Sequence, residues 1–75
     1  MKVFQSSNLN TGHYNPETSR LTIGFVSGYA YEYDVPPEVW DALSTAVDPN
    51  AYFQAYIRPI YRGKMILSPQ SGERE

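Results

Sequence analysis

Two successive runs between residues 20 and 34 alternate apolar and polar side chains, and the prolines at 36 and 37 then stop the pattern. In the first run, RLTIGFV at 20–26, Leu21, Ile23 and Phe25 alternate with Thr22, Gly24 and Val26. In the second, YAYEYD at 29–34, Tyr29, Tyr31 and Tyr33 alternate with Ala30, Glu32 and Asp34. A period of two is the signature of a half-buried strand, and tyrosine is a good strand former. Only Ser27 and Gly28 lie between the runs, so they are read as an antiparallel hairpin around which the rest of the chain must pack. Loop length then decides what the tyrosines are for. With a two-residue Ser27-Gly28 loop, Val26 pairs with Tyr29 and the tyrosines lie opposite Leu21, Ile23 and Phe25, as an exposed platform. With a three-residue Val26-Ser27-Gly28 loop, Phe25 pairs with Tyr29, Ile23 with Tyr31 and Leu21 with Tyr33, and the tyrosines join the core. Gly28 at the last loop position, and the poor fit of Ser-Gly to a mirror-image turn, favour the buried register.

The flanking segments complete an α+β pattern. The stretch NPETS at 15–19 holds turn-forming residues and links the hairpin to an earlier strand at 8–14, which makes a three-stranded antiparallel meander. Pro36 and Pro37 suit the first turn of a helix. From 38 to 46, Val39, Leu43 and Ala46 share one face with Trp40 beside it, while Glu38 and Asp41 sit near the positive end of the helix dipole. Asp48 as cap and Pro49 as first helical residue start a second helix bearing Tyr52, Phe53, Tyr56 and Ile57, which Pro59 ends. Residues 60–67 read equally as a short strand covering a sheet edge or as an extended segment. The expected fold is therefore β-β-β-α-α: three strands and two short helices in a single domain at 1–67, with a flexible tail at 68–75.

With 75 residues, 41% of them apolar, there is room for one core and no more. No cysteine and no metal-ligand cluster is present to staple it, so the fold rests on packing, with a margin of about 3–5 kcal/mol. Seven tyrosines lead to the expectation of an aromatic rather than aliphatic core. A net charge of −2 argues against strong sequence-independent nucleic-acid affinity. The charge is segregated: Glu32, Asp34, Glu38, Asp41 and Asp48 follow one another without a basic residue, whereas Arg58, Arg62 and Lys64 follow without an acid. Neither a signal-peptide pattern nor an apolar run long enough to cross a bilayer occurs, so a cytoplasmic protein without membrane contact is expected.

Several of these pieces, taken in order, resemble the KTSC domain family, a small module named for its place at the C-terminus of some lysyl-tRNA synthetases and also found as stand-alone proteins. They are SSNL at 6–9, Tyr14, LTIGF at 21–25, Gly28, the central Tyr31-Glu32-Tyr33, VPPEVW at 35–40, Leu43, and YFQAYIR at 52–58. The likeness spans residues 6–61. It departs between the two helices, where Val47-Asp48-Pro49-Asn50 replaces the family's usual Ser-x-Gly turn. The resemblance implies a small stand-alone bacterial or phage protein with an RNA-binding role.

The residue types point away from catalysis. His13 is the only histidine, and Ser6 and Ser7 sit in a polar run where hydrogen bonds to nearby backbone are their expected task. Glu32, Asp34, Glu38 and Asp41 are accounted for by solvation and capping. The expected binding residues are Tyr31, Tyr33, Tyr56, Arg58, Tyr61, Arg62 and Lys64, because tyrosine and arginine together are typical of interface hot spots. The expectation is a non-catalytic binding module with no cofactor and no metal. Its favoured partner is a protein, a large machine such as the transcription or translation apparatus; RNA bound through Tyr31, Tyr33, Arg58 and Arg62 is the alternative.

Overall fold

The computed structural model describes residues 2–68. Strand β1 (Lys2–Val3) is followed by β2 (Leu9–Asn15), β3 (Arg20–Phe25) and β4 (Ala30–Asp34), then by helices α1 (Pro37–Thr45) and α2 (Pro49–Tyr52). Helix α2 runs straight into a π-helical segment (Phe53–Ile57), and the chain closes with β5 (Lys64–Leu67). The sheet has five antiparallel strands in the order β1-β2-β3-β4-β5. The three-strand expectation is thus corrected. The meander forms the centre, and two short edge strands flank it: a two-residue β1, too brief for an alternating pattern to show, and β5, one of the two readings left open for residues 60–67. The expected tail at 68–75 lies, apart from Ser68, outside the described residues.

Hairpin geometry decides the register. Gly28 takes φ 103, a conformation that side chains rarely adopt. Its N–H donates to the Phe25 carbonyl at 2.9 Å, while the Phe25 N–H donates to the Tyr29 carbonyl at 2.8 Å. The loop is therefore Val26-Ser27-Gly28, and Leu21 pairs with Tyr33 and Ile23 with Tyr31. At the other end of β3, the Asn15 side chain accepts from the Glu17 N–H at 3.0 Å, and Ser19 closes the turn at φ 57.

Both helices start where their prolines allow. Pro37 lies in the first turn of α1, and the Asp48 carboxylate accepts from the Ala51 N–H at 3.1 Å to cap α2. Past Tyr52 the hydrogen bonding slips by one residue, so that the Arg58 N–H donates to the Phe53 carbonyl at 2.9 Å. Phe53 and Ile57 both enter the core from this segment.

The core joins Leu9, Leu21, Ile23, Val35, Leu43 and Ile57 to Phe4, Tyr33 and Phe53. Its centre is mainly aliphatic, which corrects the aromatic expectation. Most of the aromatic rings form a collar instead, with Tyr14, Phe25, Tyr31, Trp40, Tyr52 and Tyr61 only partly buried against the core. This suits their chemistry, because a tyrosine or tryptophan at the rim buries its ring and keeps its polar end in reach of a partner. Tyr14 is an example: it stacks on Trp40 at 6.3 Å and 11° while its hydroxyl donates to the Val35 carbonyl at 2.9 Å.

Candidate functional site

The inner face of the β3–β4 hairpin carries Phe25, Tyr29, Tyr31 and Tyr33, and towards the tip it runs out from under the helices. Burial falls off along the stripe: Tyr33 is 5% exposed, Tyr31 half-buried and Tyr29 37% exposed. Successive rings lie at 6.4 Å (Tyr31 to Tyr33) and 6.5 Å (Tyr29 to Tyr31). Phe53, from the π-helical segment, wedges edge-on between Phe25 at 5.5 Å and Tyr33 at 5.6 Å. With Gln54 and Arg58 from the same segment, and Tyr61 and Gly63 from the connection to β5, these residues enclose an open groove of about 490 Å³, whose remaining lining is Asn8 and Ser27. Gly63 allows this close approach, since a Cβ there would come within 2.6 Å of the Tyr33 ring and one of the two would have to shift.

A polar ladder runs beside the aromatic floor. Arg58 Nη1 donates to Gln54 Oε1 at 3.2 Å, Gln54 Nε2 to Asn50 Oδ1 at 3.5 Å, and Asn8 Nδ2 to the same Asn50 oxygen at 3.0 Å. Spacing of four along the helix puts Asn50, Gln54 and Arg58 in one row. Asn8 is held there by a local turn in which Ser6 Oγ accepts from the Asn8 and Leu9 N–H groups, as expected of that serine. Arg58 is the only charged residue lining the groove, and its exposed guanidinium keeps donors available beyond the Gln54 bond. Burial pushes the Tyr33 phenol above its ordinary value and neighbouring Tyr31 adds to the shift, while Arg58 pulls it part-way back. At neutral pH Tyr33 is therefore a neutral phenol.

Of the residues expected to bind, Tyr31, Tyr33, Arg58 and Tyr61 converge on this groove. The other three do not. Tyr56 is exposed, with its ring against Tyr52 at 4.9 Å. Arg62 and Lys64 border a separate small hollow of about 110 Å³ with Arg20, Glu32 and Asp34. Arg20 bridges both acids there, at 3.2 Å to Glu32 and 2.8 Å to Asp34. Sequence reasoning missed Asn8, Asn50 and Gln54. The fourfold spacing of Asn50, Gln54 and Arg58 was a usable signal, but nothing local links Asn8 to a residue 42 positions away. His13 lies exposed on β2 opposite Thr22. Among the described residues no group of three His, Cys, Asp or Glu side chains stands close enough to hold a metal ion, and no helix is long and apolar enough to cross a membrane.

The sequence model of the KTSC domain matches residues 5–61, which contain every strand but β1 and β5, and both helices. The chain belongs to the KTSC domain family. A KTSC domain protein of Yersinia pestis, known from its crystal structure, superposes with a TM-score of 0.80 at 25% identity, over 87% of this chain and 93% of that one. An uncharacterized protein of Stutzerimonas stutzeri is 41% identical over 58 residues, covering 76% of this KTSC domain protein and 82% of the relative. A protein of Tsukamurella paurometabola is 32% identical over 63 residues, or 83% and 94% of the two chains. The likeness thus spans most of the length of each of these proteins.

Proposed function

We propose that this KTSC domain is a non-catalytic docking module whose tyrosine groove holds a short segment of a partner protein. The supporting observation is the convergence of Tyr29, Tyr31, Tyr33, Tyr61 and Arg58 on one open groove of about 490 Å³ whose lining includes no carboxylate, histidine or cysteine. Such a surface offers rings to bury an apolar side chain and an arginine to orient an acceptor, the combination that dominates interface hot spots. The amides of Asn8 and Gln54, with the phenols, supply partners for a peptide backbone. The titratable groups of this lining are phenols and one guanidinium, whereas general acid–base and nucleophilic chemistry most often draws on histidine, carboxylate or cysteine.

A protein partner is favoured over RNA by charge. Phosphate binding draws on several Lys and Arg side chains, whereas the groove offers Arg58 alone in a chain of net charge −2. The partner is read as part of a larger cytoplasmic assembly such as the transcription or translation apparatus.

The experiment is selection of peptides from a random display library on the immobilised domain, followed by ¹⁵N NMR titration. Selected peptides should shift the amides of Tyr31, Gln54 and Arg58, and Tyr31→Ala or Arg58→Glu should weaken binding at least about tenfold. Peptides whose affinity ignores both substitutions sink the reading. A single-stranded RNA oligomer is titrated in parallel at low salt; groove shifts with RNA and none with peptides transfer the site to the RNA reading.

A further inference from the structure

The groove borders one of the two edges of the sheet. Strand β5 is the last in the strand order, so its outer row of backbone N–H and C=O groups has no partner strand among the described residues. Exposed edges invite pairing with another chain, and proteins ordinarily blunt them with charges, prolines or cover. β5 has Lys64 at its start and then Met65, Ile66 and Leu67, each close to half-exposed. Three successive exposed apolar residues on an open edge are what a solitary sheet avoids and what a strand-accepting sheet presents.

Register shows which way an added strand would face. Met65 pairs with Tyr31 and so lies on the groove side of the sheet, whereas Lys64 pairs with Glu32 on the opposite face. On that opposite face Lys64 and Arg62 flank the hollow in which Arg20 already engages Glu32 and Asp34. Among the described residues Arg62 and Lys64 have no ion-pair partner of their own. The stretch from Pro49 to Leu67 contains Arg58, Arg62 and Lys64 and no acid.

We infer that the segment docked by this domain is an extended strand of alternating apolar and acidic residues that adds to β5, its apolar side chains passing over Met65 toward the tyrosine groove and its carboxylates facing Lys64 and Arg62. The inference rests on the docking reading above and names its ligand. Alternation follows from the period of a strand, which sends successive side chains to opposite faces. The acids follow from charge: the outer face of this edge sets Arg20, Arg62 and Lys64 against Glu32 and Asp34, an excess of positive charge. A second copy of the chain fits worse, because its own β5 and the connection before it bring no carboxylate to Arg62 and Lys64.

Peptides selected on the full-length domain test this. They should share a pattern of acidic residues at every second position. Backbone N-methylation of one alternate set of peptide residues should weaken binding at least tenfold, and methylation of the other set should leave it unchanged, since only one set of N–H groups faces a neighbouring strand. Lys64→Glu together with Arg62→Glu should weaken the acidic peptides and spare versions with glutamine in place of the acids. If both methylated sets bind like the parent, or the selected peptides do not alternate, strand addition is overturned. The docking reading still stands in that case if Tyr31→Ala abolishes binding, and it falls too if Tyr31→Ala does not. A chain that sediments as a dimer, and as a monomer once Ile66→Lys charges the edge, also overturns the inference, because a second copy then occupies β5.

Discussion

Replacing Phe53 probes how the groove and the core depend on one another. Its ring is buried, and it is the one side chain in edge-to-face contact with both Phe25 and Tyr33. Phe53→Ala removes this ring from a site with little freedom to collapse, because the sheet is on one side and Ile57 and Leu43 belong to the same cluster. Such truncations cost about 3–5 kcal/mol. That equals the whole margin of about 3–5 kcal/mol available to an unstapled domain of this size, so the folded and unfolded forms of the variant should be comparably populated at room temperature. Phe53→Leu keeps most of the buried apolar volume and loses two ring pairs of about 0.5–1.5 kcal/mol each, which predicts a folded protein destabilised by about 1–3 kcal/mol. Urea unfolding followed by the fluorescence of Trp40, the only tryptophan, measures both. A folded Phe53→Ala protein that has lost less than about 1 kcal/mol, or equal losses for alanine and leucine, refutes the view that this ring ties the π-helical segment to the hairpin.

Other substitutions report on separate parts of the structure. Tyr14→Phe deletes the 2.9 Å bond to the Val35 carbonyl while keeping the stack on Trp40, and should cost about 1–2 kcal/mol in the same urea assay. Gly63→Ala brings a Cβ against the Tyr33 ring and should lower stability by about 1–3 kcal/mol, with the largest NMR shift changes at Tyr33 and Tyr61. The raised Tyr33 pKa means that the folded protein holds the phenolic proton to a higher pH than the unfolded chain does. Stability from this residue is therefore complete below the ordinary tyrosine range and declines as pH rises through about 10. Denaturation curves across alkaline pH should show a shallower loss for Tyr33→Phe than for the parent. Arg58→Glu removes the cation that restrains the shift, so it should raise the Tyr33 pKa further, as read by tyrosinate absorbance.

The elements legible in the linear chain were those whose cause is local. Alternation at 20–34 gave the hairpin, the Gly28 position pointed to the right loop, and Pro37 and Pro49 with Asp48 marked both helix starts, because each of these depends on residues within a few positions of one another. β1 was invisible because two residues cannot display a period, and residues 64–67 took their strand character from the β4 edge they pair with. The slip into π-helical bonding after Tyr52 left no mark that a residue-by-residue propensity could carry.

For the site the division is sharper. Residue chemistry alone singled out tyrosines, arginines and Lys64 as candidate binding groups, since tyrosine and arginine in particular combine a large apolar area with a directional polar end. Which of them lie together was a matter of three-dimensional placement: Arg58 and Tyr61 meet Tyr31 and Tyr33 across the groove, Arg62 and Lys64 are turned to the other face, and Tyr56 points outward. Local sequence sets the face on which a side chain emerges from its own strand or helix. The packing of that element against elements distant in the chain sets what the side chain meets there, and this is why Asn8 joined the groove with nothing nearby in the sequence to announce it.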